Sequence, residues 1–212
     1  MIKSQTKSLQ EGVEDFGIFK AVFMAGSPGS GKSTVKHALF DGLGLKSVDA
    51  DDVRTAYIKL GKPADYDVYM HVVRRQKQSY IDQRLGIILD TTAWHLPTVL
   101  DTVHELRALG YDVAMIHVYT PLHQALQRVE ARRLATGRDV SHEDVVKRYK
   151  GLQNNTRDFI QVFGDNYWFV DNSGHHPKTD LIKREVRDWL REPPQPAQAR
   201  AWIQAQKDSK LR

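Results

Sequence analysis

Phe19-Lys20-Ala21-Val22-Phe23-Met24-Ala25 runs into Gly26-Ser27-Pro28-Gly29-Ser30-Gly31-Lys32-Ser33-Thr34, and Val35-Lys36-His37-Ala38-Leu39-Phe40 follows. An apolar run that breaks at a glycine-rich turn and resumes with helix-forming residues predicts strand, phosphate loop and helix. Gly26, Gly31, Lys32 and Ser33 fill the Walker A spacing G-x-x-x-x-G-K-S/T. Gly26, Gly29 and Gly31 let consecutive backbone N–H groups turn toward one anion. The helix that starts near Lys32 adds the positive end of its dipole at the same spot. Lys32 is placed to reach the β- and γ-phosphates and Ser33 to ligate Mg²⁺, with Ser27, Pro28, Ser30 and Thr34 completing the loop. The stretch predicts a site for a nucleoside triphosphate, ATP or GTP, with Mg²⁺. A Gly/Ser-rich turn ahead of an ordinary helix is the plain alternative, and the Gly31-Lys32-Ser33 run between strand and helix argues against it.

Outward from this stretch, strands are expected at about 19–25, 46–49, 86–90, 112–119 and 167–170, with helices between them. Gly86-Ile87-Ile88-Leu89-Asp90 is apolar throughout until its carboxylate, the pattern of a parallel strand buried on both faces. Asp51 or Asp52 can cap a helix that runs to Leu60-Gly61 and stops at Lys62-Pro63. A long polar helix is expected from Tyr69 to Leu85. An amphipathic one should run from Leu96 to Leu109, and another from Pro121 to about Ala135. Ser141-His142-Glu143-Asp144 reads as a capping box for a helix to about Phe163, and Thr179 to Leu190 as a final packed helix. Alternating strands and helices predict one α/β domain, a three-layer αβα P-loop NTPase fold with a five-stranded parallel sheet and right-handed crossovers. The expected division is a polar lead-in over 1–17, the domain over 18–191, and a Pro-rich linker and partly helical tail over 192–212.

Composition narrows the classes. The 212 residues suffice for one domain with a proper core. No apolar run approaches the roughly 18 residues of a membrane span, so no membrane partner is expected. Met1 to Asp15 is polar and mixed in charge, and reads as neither signal peptide nor basic arm. The chain has no cysteine, which excludes disulfides, thiolate zinc sites and cysteine nucleophiles and fits a reducing cytoplasm. Its net charge of +5 leans mildly toward anionic partners. His175-His176 has no accompanying metal-ligand spacing and reads as surface.

Active sites of such sheets sit at the carboxyl ends of the strands. Asp51 follows the second strand closely, where a carboxylate can take a proton from an attacking hydroxyl; helix capping is its alternative role. Asp52 is the second candidate. Arg54, one turn on from Asp51, can orient that carboxylate or hold an anionic substrate. Asp90 stands where a Walker B carboxylate would, beside Ser33 and the metal. Arg128, Arg132, Arg133 and Arg138 form a cluster after the fourth strand. Arg128 and Arg132 share a helix face, and Gly137 allows the following loop to move. Arginines so placed can neutralise charge at a transferred phosphoryl group, although arginine runs are often only solvated surface.

Gly26–Thr34, Asp51-Asp52-Val53-Arg54, Leu89-Asp90-Thr91-Thr92 and Arg128-x-x-x-Arg132, in this order, resemble the kinase domain of phage polynucleotide kinase and the related zeta toxins. The resemblance spans about residues 19–172. It implies a phosphotransferase in which Lys32 and Ser33 hold ATP and Mg²⁺, Asp51 is the general base, Arg54 touches the substrate and Arg132 is the lid arginine. Gly137-Arg138-Asp139-Val140 is closer to the zeta-toxin pattern, and Asp51-Asp52-Val53-Arg54 to polynucleotide kinase. The implied acceptor is therefore a polynucleotide 5′-hydroxyl or a nucleotide or nucleotide-sugar hydroxyl, in the cytoplasm (the host's, if the chain is phage-encoded). Asp49-Ala50-Asp51 is not followed by Gly-Thr, so the phosphatase motif that accompanies the phage enzyme is missing. Two other classes compete: an ATPase or nucleotide switch that phosphorylates nothing, and a nucleic-acid-binding module with ATP as a structural ligand. The Asp51/Arg54 pair argues against the first. The lack of a basic stripe interleaved with aromatics argues against the second.

Overall fold

The computed structural model describes residues 17–62, 65–137, 140–174 and 176–210. Most of the expected lead-in, Pro63, Arg138 and His175 lie outside the described residues.

Strands β1 (Lys20–Ala25), β2 (Lys46–Val48), β3 (Ile87–Thr91), β4 (Asp112–Tyr119) and β5 (Tyr167–Asp171) form one parallel sheet in the order β2-β3-β1-β4-β5. Between and after them run α1 (Lys32–Phe40), α2 (Ala50–Lys59), α3 (Tyr66–Asp82), α4 (Leu96–Ala108), α5 (Leu122–Thr136), α6 (His142–Phe163), α7 (Asp180–Arg191) and α8 (Ala197–Lys210). Side-chain alternation divides the core in two. Ala21, Phe23 and Ala25 face a cluster with Val73 and Ile81 of α3, Val103 and Leu106 of α4, and Leu152 and Phe159 of α6. Val22 and Met24 face the opposite cluster, with Val35 and Leu39 of α1 and Val186 and Trp189 of α7. Both faces of the sheet are thus covered, which makes the expected three-layer αβα architecture. No helix among the described residues is long and apolar enough to cross a membrane.

The central strand carries one charge into this interior. Lys20 is 1% exposed, and its Nζ lies 2.8 Å from Asp112 Oδ2 and 4.6 Å from the centre of the Trp189 ring. A lysine that deep needs its partner, because an unpaired buried ammonium is costly. Asp112 also accepts the Gln195 N–H at 3.0 Å, which fastens the segment leading to α8. That helix is packed: Ala199 is buried and Trp202 meets Phe19 edge-on at 5.5 Å.

Local chemistry shifts two element boundaries from their expected places. The cap of α2 is Asp49, whose Oδ1 accepts the Asp51 N–H at 2.9 Å; Asp51 and Asp52 are first-turn residues. Asp65 caps α3 through the N–H groups of Asp67 and Val68, so that helix begins at Tyr66 and not at Tyr69.

Candidate active site

β1 lies between β3 and β4, so the loop that follows it opens at the middle of the carboxyl edge. Two of its glycines are required by geometry. Gly29 and Gly31 have φ of 79° and 88°, and a Cβ would stand 2.2 Å from Ala125 O at the first and 2.1 Å from Asn172 Nδ2 at the second. Gly31 is also the cap residue of α1 and offers no side-chain acceptor, and the first turn holds no acid. The N–H groups there are left for an anion. Gly26, Ser27, Pro28 and Ser30 are buried, whereas Ser33 and Thr34 are exposed at the start of α1.

A network from the neighbouring strand ends holds the loop in place. Thr120, just after β4, donates to Ser30 O at 3.0 Å, and Asn172, just after β5, donates to the same carbonyl at 2.7 Å. Arg128 of α5 ties these two anchors together, donating to Thr120 Oγ1 at 3.2 Å and to Asn172 O at 3.0 Å. Thr120 and Asn172 are site residues that the motifs leave out. Their only sequence signal is a polar residue directly after a buried strand.

Lys32 folds back over the loop, its Nζ 2.8 Å from Gly26 O and 3.7 Å from Asp90 Oδ1. Asp90 pairs in register with Met24, one residue short of the loop's leading strand end. Burial raises its pKa above the ordinary carboxylate value; Lys32 pulls it back, and the negative charges of Asp49 and Asp52 push it up. Asp49 in turn lies 3.5 Å from Lys36 Nζ. Asp49, Asp52, Asp90, Lys32 and Lys36 therefore share one electrostatic neighbourhood at the ends of β2 and β3. Asp51 is exposed in the first turn of α2, and Arg54 is half-buried one turn further on.

The arginines of α5 differ in use. Arg128 is engaged by Thr120 and Asn172. Arg132, one turn on, is half-buried, with a buried Nε that has no hydrogen-bond partner among the described residues, and burial lowers its pKa. Arg133 pairs with Glu130 at 2.7 Å on the exposed side. Gly137, at φ 70°, closes the helix, its N–H donating to Arg133 O at 2.8 Å; Arg138 beyond it lies outside the described residues.

Cavities flank the phosphate loop on both sides. One of about 370 Å³ lies between α5 and the turn after β5, lined by Gln124, Gln127, Arg128, Ser173 and Gly174. The other, of about 350 Å³, lies past the end of β3, between Thr91 and Val99. No group of three or more His, Asp or Glu among the described residues could hold a metal by itself.

Three structures illustrate the likeness to known proteins. One is the Pnkp1/Rnl/Hen1 RNA repair complex: 23% identity, 75% of this chain and 49% of that chain, TM-score 0.56. A second is the AvrRxo1-ORF1:-ORF2 complex with ATP: 12% identity, 84% and 64%, TM-score 0.60. The third comes from the PezAT chromosomal toxin-antitoxin system of Streptococcus pneumoniae: 16% identity, 83% and 86%, TM-score 0.52. At these identities the likeness is one of fold, and the chain spans about half the length of the repair-complex chain. No curated protein sequence matches it. The zeta toxin family model matches residues 6–174, from before β1 to the turn after β5, and so takes in the phosphate loop, Asp51, Asp90 and Arg132. With most of its length matched, the chain belongs to the zeta toxin family.

Proposed function

We propose that the chain transfers the γ-phosphoryl group of ATP, or of GTP, to a hydroxyl on an acceptor bound past the end of β3. The observation that carries this reading is the pair of cavities on opposite sides of the phosphate loop. A nucleotide switch needs one of them; a kinase needs both. The cavity beside Arg128 is of a size and place to take the nucleotide base, with the phosphates running along Gly26–Thr34 toward Lys32. The AvrRxo1 complex of the same fold was solved with ATP.

In this reading Lys32 leaves Gly26 O and Asp90 for the β- and γ-phosphates, a short movement of a flexible stem. Ser33 and Asp90 would hold Mg²⁺, which supplies neutralisation of charge on the β- and γ-oxygens. The donor set fits such an ion: hard oxygens, one of them a carboxylate whose pKa burial raises and whose charged form a bound cation would favour. Asp51 takes the proton of the attacking hydroxyl as the new O–P bond forms and the bond to the leaving β-phosphate oxygen breaks. Arg54 orients Asp51 or the acceptor. Arg132 meets the transferred group as its charge redistributes, and Arg138 would act from the same lid. Arg128 holds the loop and lines the base cavity. The acceptor hydroxyl is a polynucleotide 5′-hydroxyl or that of a nucleotide or nucleotide sugar, and the setting is the cytoplasm.

Asp51→Asn tests the assignment of the base. It should leave ATP affinity unchanged and lower turnover by roughly 10²–10⁴-fold, with Asp52→Asn much milder. The reverse pattern would move the role to Asp52. Full activity in both variants would leave Asp51 a first-turn helix residue and refute the assignment.

A further inference from the structure

We propose that Trp94 is the platform on which the acceptor stacks a planar ring of nucleobase type; this rests on the cavity past β3 being the acceptor's. The backbone beside it is strained. Ala93 has φ 51°, in the left-handed region that a residue with a side chain adopts uncommonly; Phe19 and Arg84 share it, but Ala93 alone of the three borders a cavity at the carboxyl edge. Three contacts from one face of α6 hold it there. Asn155 Nδ2 donates to Trp94 O at 2.9 Å. At Gly151 a Cβ would stand 2.7 Å from Trp94 O and 3.0 Å from Trp94 Cβ, so the helix presses directly on the turn. Lys147 Nζ sits 4.8 Å from the centre of the Trp94 ring. The spacing 147, 151, 155 repeats every four residues, so a single helix face positions this one indole.

Packing does not account for that arrangement. Trp94 is half-buried and belongs to neither hydrophobic cluster of the sheet. What it borders is the cavity of about 350 Å³, together with Thr91, Thr92, His95 and Thr98. His95 leans toward it, ring centres 5.5 Å apart at 56°, and is itself fixed by a 2.8 Å hydrogen bond to Thr98. The lining itself carries hydroxyls, rings and methyl groups and no carboxylate or guanidinium, and the one ammonium beside it, that of Lys147, is taken up by the indole. Such a wall suits an uncharged ring with hydroxyls and not a phosphate chain. A ring laid on Trp94 keeps its hydroxyl-bearing end at the carboxyl edge, since Thr91 follows Asp90 directly and pairs with Ala25.

The test titrates the full-length chain, saturated with a non-hydrolysable ATP analogue to fill the nucleotide site, with adenosine and with uridine. Tryptophan fluorescence and calorimetry are read together. At least one nucleoside should quench the emission, and the quench should shrink in Trp94→Phe, which loses only one of the four tryptophans. Trp94→Ala should weaken nucleoside binding by roughly 5- to 100-fold, the range for losing one stacking partner, with affinity for the ATP analogue unchanged. Trp94→Phe, which keeps a ring, should retain most of the affinity. If neither nucleoside quenches, or Trp94→Ala binds them as the wild type does, the platform is refuted. Because these readouts need no turnover, nucleoside binding at Trp94 without any phosphoryl transfer would instead refute the proposed activity.

Discussion

Replacing Arg128 with alanine removes a guanidinium that donates to Thr120 Oγ1 at 3.2 Å and to Asn172 O at 3.0 Å. A hydrogen bond from a charged donor contributes about 1.5–3 kcal/mol net. The longer of these two belongs at the bottom of that range, and the arginine stem adds some packing. The expected loss is about 2–4 kcal/mol. Thr120 and Asn172 keep their own bonds to Ser30 O, so the phosphate loop should persist while its support loosens. With a urea m-value of roughly 3 kcal/mol per molar, the unfolding midpoint should fall by about 1 M. ATP affinity should fall as well, since Arg128 also lines the base cavity. An unchanged midpoint with catalysis abolished would refute the reasoning, because it would make Arg128 a lid arginine and not a tie between strand ends.

Arg132→Ala should behave in the opposite way: turnover lower by roughly 10²–10³-fold, ATP affinity nearly intact and the urea midpoint unmoved. A lower midpoint with unimpaired turnover would count against its catalytic role. A further expectation concerns pH. His117 is 1% exposed beside Tyr167, at 2.6 Å, and burial pushes its pKa down to about 4. An unfolded chain takes up that proton near pH 6.5 and the folded one only near 4, so stability should fall as pH drops through this window, by up to about 3 kcal/mol. Asp171, held down to about 2 by Ser173 and Lys178, adds its own loss only below about pH 4, and Asp90, with its raised pKa, acts in the opposite direction. Urea titrations at about pH 7, 5.5 and 4.5 should show this slope in the wild type and a flatter one in His117→Asn; equal slopes would absolve His117.

The legible parts of the chain are those written locally. β1, the phosphate loop and α1 are contiguous, and the composition of each piece selects its conformation. Ser141 likewise caps α6 where its box predicts, accepting the Asp144 N–H at 3.1 Å. The illegible parts join distant segments. Asn172 reaches Ser30 across 142 residues of sequence, and no local pattern says that these two meet. The four-residue spacing puts Arg128 and Arg132 on one helix face, yet only the positions of Thr120 and Asn172 decide which of the two is consumed by the scaffold. The strain at Ala93 is similarly set from outside its own segment, by Gly151 and Asn155 of α6. Asp49 escaped the motif because Asp51 and Asp52 are equally good caps by type; the end of β2 brings the earlier carboxylate to the helix start.

The most direct test of phosphoryl transfer is to follow the label of γ-labelled ATP with Mg²⁺ across a panel of acceptors: 5′-hydroxyl oligonucleotides, modified-base DNA, nucleosides and nucleotide sugars. The label should appear on the hydroxyl of one acceptor class with the wild-type chain and on none with Lys32→Ala, whose folding should be intact because the side chain faces the phosphate site. Release of inorganic phosphate alone, whatever acceptor is offered, would contradict the account and leave a nucleotide-hydrolysing switch in its place.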